Sequence, residues 1–274
     1  MSRVLLPTDF SENALNAAIH AVRLFGDEGN SFTTIHGYGL AASPEGEQLP
    51  VLDPVATLAL EQTTAFSARV RHGAPGHKPL IDQLCGPGTA VDVINGLLIQ
   101  GPAPDIIVMG TQGASGLQAT LLGSHTADVI RRTQLPVLAI PEKAIYRIPK
   151  RIVLADDGGP VDKPMLKLLL DIARWSRSEV MIVGTMNQET TSETGSTASA
   201  YDLLLGGIPH THQYLSGENL HTALNDLADQ SDADLVALPH RPSGLFQHLF
   251  QNSVATTLVL HTHVPMLVLR PPGR

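Results

Sequence analysis

The chain has 274 residues, length for about two domains, and is 43% hydrophobic, only 16% charged and 4% aromatic. Its formal net charge of −8 and the lack of a basic stripe argue against a nucleic-acid partner and give no polybasic membrane signal. A single cysteine, Cys85, excludes a disulfide framework and a cysteine zinc cage.

The opening Arg3-Val4-Leu5-Leu6-Pro7 reads at once as a strand, with no room before it for a signal peptide. Asn13 to Leu24 follows as a helix, with Ala14, Ala17, Ala18, Ala21, Val22 and Leu24 on one broad stripe behind the turn and cap residues Asp9, Ser11 and Asn13. Further helices are expected from about Val55 to Val70 and, after Gly86-Pro87-Gly88, from Thr89 to Ile99. Asp105 to Met109 is a strand, His125 to Arg132 a helix ending in two cations, and Gln134 to Ile140 a last strand. Glu142 to Lys150, bounded by Pro141 and Pro149, reads as a linker.

Beyond the linker the pattern returns. Arg3–Asp9 recurs as Arg151–Asp157, 148 positions on; Asp105–Met109 recurs as Asp234–Leu238 and Gln134–Ile140 as His263–Leu269, both 129 positions on. Each repeated strand is continuously apolar rather than alternating, which suits strands buried on both faces of a parallel sheet. Two copies of one doubly wound α/β domain are expected, 1–145 and 146–274, with ligands at the carboxyl ends of the strands. The second copy lacks a helix matching Val55–Val70; Gln188 to Ala200, dense in Ser, Thr and Gly, reads as a mobile loop. No apolar run approaches the ~18 residues of a membrane span, and a cytoplasmic location is expected.

The stretch Gly110-Thr111-Gln112-Gly113 through Gly123-Ser124-His125-Thr126 spaces its glycines as Gly, two residues, Gly, nine residues, Gly-Ser, then a helix. Glycines let backbone N–H groups approach an anion without a Cβ in the way. Ser124 sits where a helix N-cap belongs, at the positive end of the helix dipole. The stretch has no Gly-Lys-Ser/Thr of a P-loop, no Gly-x-Gly-x-x-Gly opening straight into a helix and no Gly-x-Ser-x-Gly around Ser115. Spacing alone leaves phosphate binding level with an ordinary turn before a capped helix.

On these residues, with Pro7-Thr8-Asp9-Phe10-Ser11-Glu12 and Leu135-Pro136-Val137-Leu138, the sequence resembles a tandem member of the universal stress protein family over essentially its whole length. The resemblance implies two domains of the adenine nucleotide alpha hydrolase-like fold, each with a five-stranded parallel sheet and helices on both faces. It also implies an ATP or AMP site between the ends of the first and fourth strands, with Mg²⁺ accompanying a bound triphosphate. Carried over, Gly110, Gly113, Gly123, Ser124 and Thr126 would hold phosphates and ribose, with Pro7, Thr8, Met109 and His125 alongside. Asp9 is similar to the family's nucleoside-contacting acid, and reads otherwise as a helix cap completed by Glu12. Gly37, after Ile35-His36, falls where the family turns backbone groups to the adenine edge. His36 itself reads as a packing residue at a strand end. Family dimers pair through their last strands, so Val137–Ile140 and Met266–Leu269 should pair within one chain as a pseudo-dimer; a homodimer through other faces stays open.

In the second copy Gly110, Gly113 and Gly123 become Pro239, Pro242 and Asn252, and only Ser124 is retained, as Ser253. Proline has no N–H to offer an anion, so no nucleotide is expected there by the same mode. His210-Thr211-His212 and His261-Thr262-His263 each put two rings on one side if extended, a geometry that could serve a metal. Without cysteine and with no fixed carboxylate nearby in sequence, surface histidines are the reading adopted, and no metal ligand is assigned. His221 is uncommitted, and Cys85, with no basic neighbour, reads as a packed thiol. The leading function is a nucleotide-binding stress-response or regulatory protein. A slow ATPase or phosphotransferase is the alternative, as is a scaffold whose nucleotide is incidental. No residue is assigned as catalytic.

Overall fold

The structure, a computed structural model, describes residues 2–39, 54–100, 103–111, 124–156, 159–185, 200–215, 226–227, 230–241 and 264–271. The glycines Gly113 and Gly123, the expected loop Gln188–Ala200 except for Ala200, which opens a helical turn, and Pro242, Asn252, Ser253, His221, His261 and His263 lie outside the described residues.

In the first half, β1 (Arg3–Pro7), β2 (Ser31–Tyr38), β3 (Leu80–Pro87), β4 (Ile106–Gly110) and β5 (Val137–Ile140) alternate with α1 (Glu12–Phe25), α2 (Pro54–Gly73), α3 (Ala90–Gln100) and α4 (Ser124–Arg132). The second half supplies β6 (Arg151–Ala155), α5 (Lys163–Ser176), β7 (Glu179–Thr185), β8 (His210–Leu215), β9 (Leu235–Pro239) and β10 (Met266–Leu269). The strands form one sheet in the order β3-β2-β1-β4-β5-β10-β9-β6-β7-β8. Within each half the five strands run parallel. At the centre β5 and β10 pair antiparallel, Leu138 opposite Leu267. The carboxyl ends of the two halves therefore point to opposite edges of the sheet.

Side-chain alternation along each strand splits the core into two layers. Val4, Leu6, Leu138, Leu154 and Leu267 face α1, α2 and α5, while Leu5, Ile107, Val137, Val153, Met266 and Val268 share the other side with α3 and α4. Both layers run unbroken across the β5–β10 junction. Four alanines on α1 (Ala14, Ala17, Ala18, Ala21) bring that helix close to the sheet, where α5 uses Met165, Leu166, Leu169 and Leu170. The N-cap of α1 is Ser11, accepting from the Ala14 amide, and that of α5 is Asp162, accepting from Met165. The segment 142–150 is packed: the Tyr146 hydroxyl donates to the Arg23 carbonyl, and the Asn16 amide reaches the Ala144 carbonyl. Arg270, buried just after β10, donates to the Ile130 carbonyl in α4 and so ties the second half to the first. Among the described residues no helix is long and apolar enough to cross a membrane.

Candidate functional site

In the order 3-2-1-4-5 the crossovers change direction between β1 and β4, the place where open parallel sheets leave a crevice. A cavity of about 250 Å³ lies there, just below the ~300–1,000 Å³ usual for small-molecule pockets. Its walls are the ends of β1 (Pro7, then Thr8 and Asp9), β2 (His36, Gly37) and β4 (Met109, Gly110), with Ala14 of α1, the turn Gly88-Thr89-Ala90, and His125 and Thr126 of α4. Eight of the eleven residues singled out in the sequence thus meet in one cavity. Of the other three, Ser124 opens α4 beside it, while Gly113 and Gly123 fall in the undescribed 112–123.

The geometry of the β1 end is over-determined. The Thr8 amide donates to the Ile35 carbonyl, and the Thr8 hydroxyl oxygen accepts from the Phe10 amide. Phe10 has φ +65°, a left-handed conformation that costs energy in a bulky residue. It sets the Phe10 ring 4.4 Å from that of His36. His36 Nδ1 donates to the Thr8 carbonyl at 2.9 Å. His36 therefore packs at a strand end, as read, and also lines the cavity. Asp9 is exposed, and its Oδ1 accepts from the Ser11 amide. The cap of α1 is Ser11 rather than Asp9, and Glu12 pairs with Arg69 instead of closing a capping box. Being excused from the cap, the Asp9 carboxylate stays at the cavity wall.

Two glycines are there for close approach. A Cβ on Gly37 would lie 2.5 Å from the Gly88 carbonyl oxygen and 2.6 Å from the Thr89 carbonyl carbon. A Cβ on Gly110 would lie 2.7 Å from the Asn13 side chain. The Thr126 hydroxyl donates to the Gly110 carbonyl, pinning the start of α4 to the end of β4. Because every helix here follows a strand, α1, α3 and α4 all turn their amino ends, and so their positive dipole ends, towards this edge. Among the described residues no lysine or arginine lines the cavity. At α3, Thr89 and Asp92 cap one another: the Thr89 amide and hydroxyl donate to the Asp92 carboxylate, and the Asp92 amide returns a bond to the hydroxyl. Those bonds, the side-chain one foremost, hold the Asp92 carboxyl below its usual range.

The turn Gly88-Thr89-Ala90 was not among the residues read from the sequence as binding. Its signal was present, a Thr-x-x-Asp box directly behind Gly-Pro-Gly. At the matching edge of the second half, two described side chains are held by hydrogen bonds. The Tyr201 hydroxyl donates to Asp156 Oδ1 at 3.2 Å, and Arg241 donates to the Pro160 carbonyl at 2.7 Å. Burial, with the Asp156 charge second, drives the Tyr201 pKa upward. Pro239 stands where β4 has Gly110, and Cys85 is the packed thiol expected, its Sγ 3.1 Å from the Thr63 hydroxyl.

The family model that matches this chain is described as the Universal stress protein family, over residues 1–141 and again over 149–270. Among solved structures, the chain is similar to a universal stress protein from Archaeoglobus fulgidus DSM 4304, with 18% identity, 98% of each chain covered and a TM-score of 0.73. It is also similar to a protein of unknown function from Pseudomonas aeruginosa PAO1, with 16% identity, 99% of this chain and 93% of that one covered, and a TM-score of 0.61. At these identities the likeness speaks for the fold. No curated protein matches.

Proposed function

The chain belongs to the universal stress protein family, and from that premise we propose that its first domain, 1–145, binds one adenine nucleotide, ATP or AMP, as a regulatory signal. The observation that carries this reading is the meeting of two independent features. A cavity at the crossover between β1 and β4 gathers Asp9, Gly37, Gly110 and Thr126. The sequence from Gly110 at its rim to the start of α4 has the Gly-x2-Gly-x9-Gly-Ser spacing that the family resemblance assigns to phosphates.

In this reading the nucleoside sits against the ends of β1 and β2, with the Asp9 carboxylate as acceptor for ribose hydroxyls and Gly37 beside the base. The phosphates lie towards Gly110, Gly113, Gly123 and Ser124, where backbone amides and the α4 dipole favour negative charge. Mg²⁺ would join a triphosphate through its oxygens and water. The second domain, 146–274, has Pro239 in place of the first glycine and takes no nucleotide in this manner. Mass analysis of small molecules released from freshly purified, heat-denatured protein tests the proposal. It expects an adenine nucleotide in amounts up to one per chain, and a chain that neither carries nor takes up one contradicts it.

A further inference from the structure

At the far edge of the second half, three side chains converge that no part of the nucleotide reading uses. The chain passes through a short helical segment, 200–204, and the turn Gly206-Gly207, with φ +83° at Gly207, before entering β8. Strand alternation then sets His210 and His212 on one face of β8. They lie opposite Val180 and Ile182 of β7. Asp202, in the helical segment, reaches across the turn. Its Oδ1 lies 3.0 Å from His210 Nε2 and 2.9 Å from His212 Nε2, and the ligand atoms of the three all fall within 4.8 Å of one another.

We infer that Asp202, His210 and His212 form a divalent transition-metal site, with Zn²⁺ the cation that fits. His210 Nδ1 lies 2.8 Å from the Ile208 carbonyl oxygen, which can only accept, so Nδ1 carries the hydrogen. Nε2 is then the nitrogen turned to the Asp202 carboxylate, where either a proton or a metal cation can bridge the two. A backbone carbonyl holding the second ring nitrogen is the support that metal-bound histidines commonly have. The size is close: ligands ~2.0–2.2 Å from a tetrahedral Zn²⁺ stand about 3.3–3.6 Å apart, against 3.0 and 2.9 Å for the two carboxylate–imidazole separations, with the imidazole nitrogens within 4.8 Å of one another. The two imidazoles are half-buried at 19% and 23% exposure, and Asp202 is 58% exposed, so water can complete the shell. Two nitrogens and one oxygen match Zn²⁺ better than Ca²⁺ or Mg²⁺, which want oxygens.

The site would staple the 200–204 segment to a strand that, among the described residues, stands at the edge of the sheet. It stands six strand spacings from β4, about 30 Å at ~4.8 Å each, and does not depend on nucleotide binding. The carboxylate that the histidine spacing lacked in sequence is supplied by Asp202, eight positions before His210.

The test is calorimetric titration of ZnCl₂ into the chelator-treated full chain, with Co²⁺ absorption in the visible as a second readout. One Zn²⁺ per chain is expected, with affinity falling at least ~10-fold in both Asp202→Asn and His212→Asn, while His72→Asn, an exposed histidine on α2, changes nothing. Added Zn²⁺ should also raise the melting temperature of the parent chain and not that of Asp202→Asn. Asp202 is exposed enough that its variant folds even if a histidine variant does not. Equal affinity in the parent and Asp202→Asn, or no stoichiometric binding in the parent, would overturn the assignment and leave a proton-bridged ion pair.

Discussion

The Thr126 hydroxyl donates to the Gly110 carbonyl oxygen across 2.7 Å, in a buried contact that joins the first turn of α4 to the last residue of β4. Gly110 opens the glycine stretch and Thr126 closes it, so this bond fixes the distance the intervening segment must span. It also commits the hydroxyl hydrogen of Thr126, which is 2% exposed, to the backbone. Thr126→Val should leave a buried carbonyl unpaired and cost about 1–3 kcal/mol of stability, with Thr126→Ser restoring most of it. Urea denaturation of the three proteins decides this, and equal stabilities would show that the bond contributes nothing.

Gly37 and Gly96 should respond in opposite ways to the same added methyl. At Gly37 the new Cβ meets the backbone of Gly88 and Thr89, which cannot swing aside as a side chain would. Gly37→Ala should destabilise by about 1–3 kcal/mol and weaken nucleotide binding by moving the turn that forms the cavity wall. Gly96 lies inside α3 with nothing within 4 Å of its Cβ position, and Gly96→Ala should stabilise by about 0.5–1 kcal/mol. Melting temperatures of the two variants, shifted in opposite directions, are the expected result.

Stability should fall on mild acidification, through His240. This side chain is buried after β9 beside Arg270, and burial first, then the Arg270 charge, lowers its pKa from 6.5 to about 4. Its folded form is neutral, so below pH 6.5 the unfolded chain binds a proton that the folded chain refuses. The contribution is complete above pH 6.5 and is lost as pH falls towards 4, about 3 kcal/mol across the window. His20, buried against Tyr146, is lowered chiefly by burial and acts in the same sense. Unfolding free energies between pH 7.5 and 4 should fall less steeply for His240→Asn than for the parent, and parallel curves would exclude His240 as the source.

ATP turnover should be far slower than the ~10 s⁻¹ typical of enzymes. Phosphoryl transfer needs charge stabilisation that grows in the transition state. Among the described residues the cavity is lined by no lysine or arginine, and Arg131 and Arg132 at the other end of α4 pair with Asp128 and Asp92. Hydrolysis near ~1 s⁻¹ that disappears in Asp9→Ala would place the protein among enzymes instead.

The strands legible in the sequence are those buried on both faces, because an unbroken apolar run such as Ile106–Met109 has no other good reading. The edge strands were harder. β3 carries Asp82 and Gln83 and exposes Leu80, and β8 reads His-Thr-His-Gln-Tyr-Leu, so neither shows a continuous run. Motif spacing singles out the stretch from Gly110 to Thr126, of which the structure places Gly110, His125 and Thr126 at the cavity, and alignment of the repeats shows Pro239 in place of the first glycine. Asp9 was readable as a residue but not in its local role, since Ser11 and Asp9 both suit a cap and only the turn at Phe10 chooses between them. Asp202 was invisible as a partner of His210 and His212, because a turn and not a periodicity brings it back to them.

Calorimetric titration of the nucleotide-stripped full chain with ATP and with AMP tests the central claim most directly. The account predicts one site per chain, lost in Gly113→Val and Gly123→Val variants that keep the parent's fold by circular dichroism. Two equivalent sites per chain, or undiminished affinity in both folded variants, would contradict it.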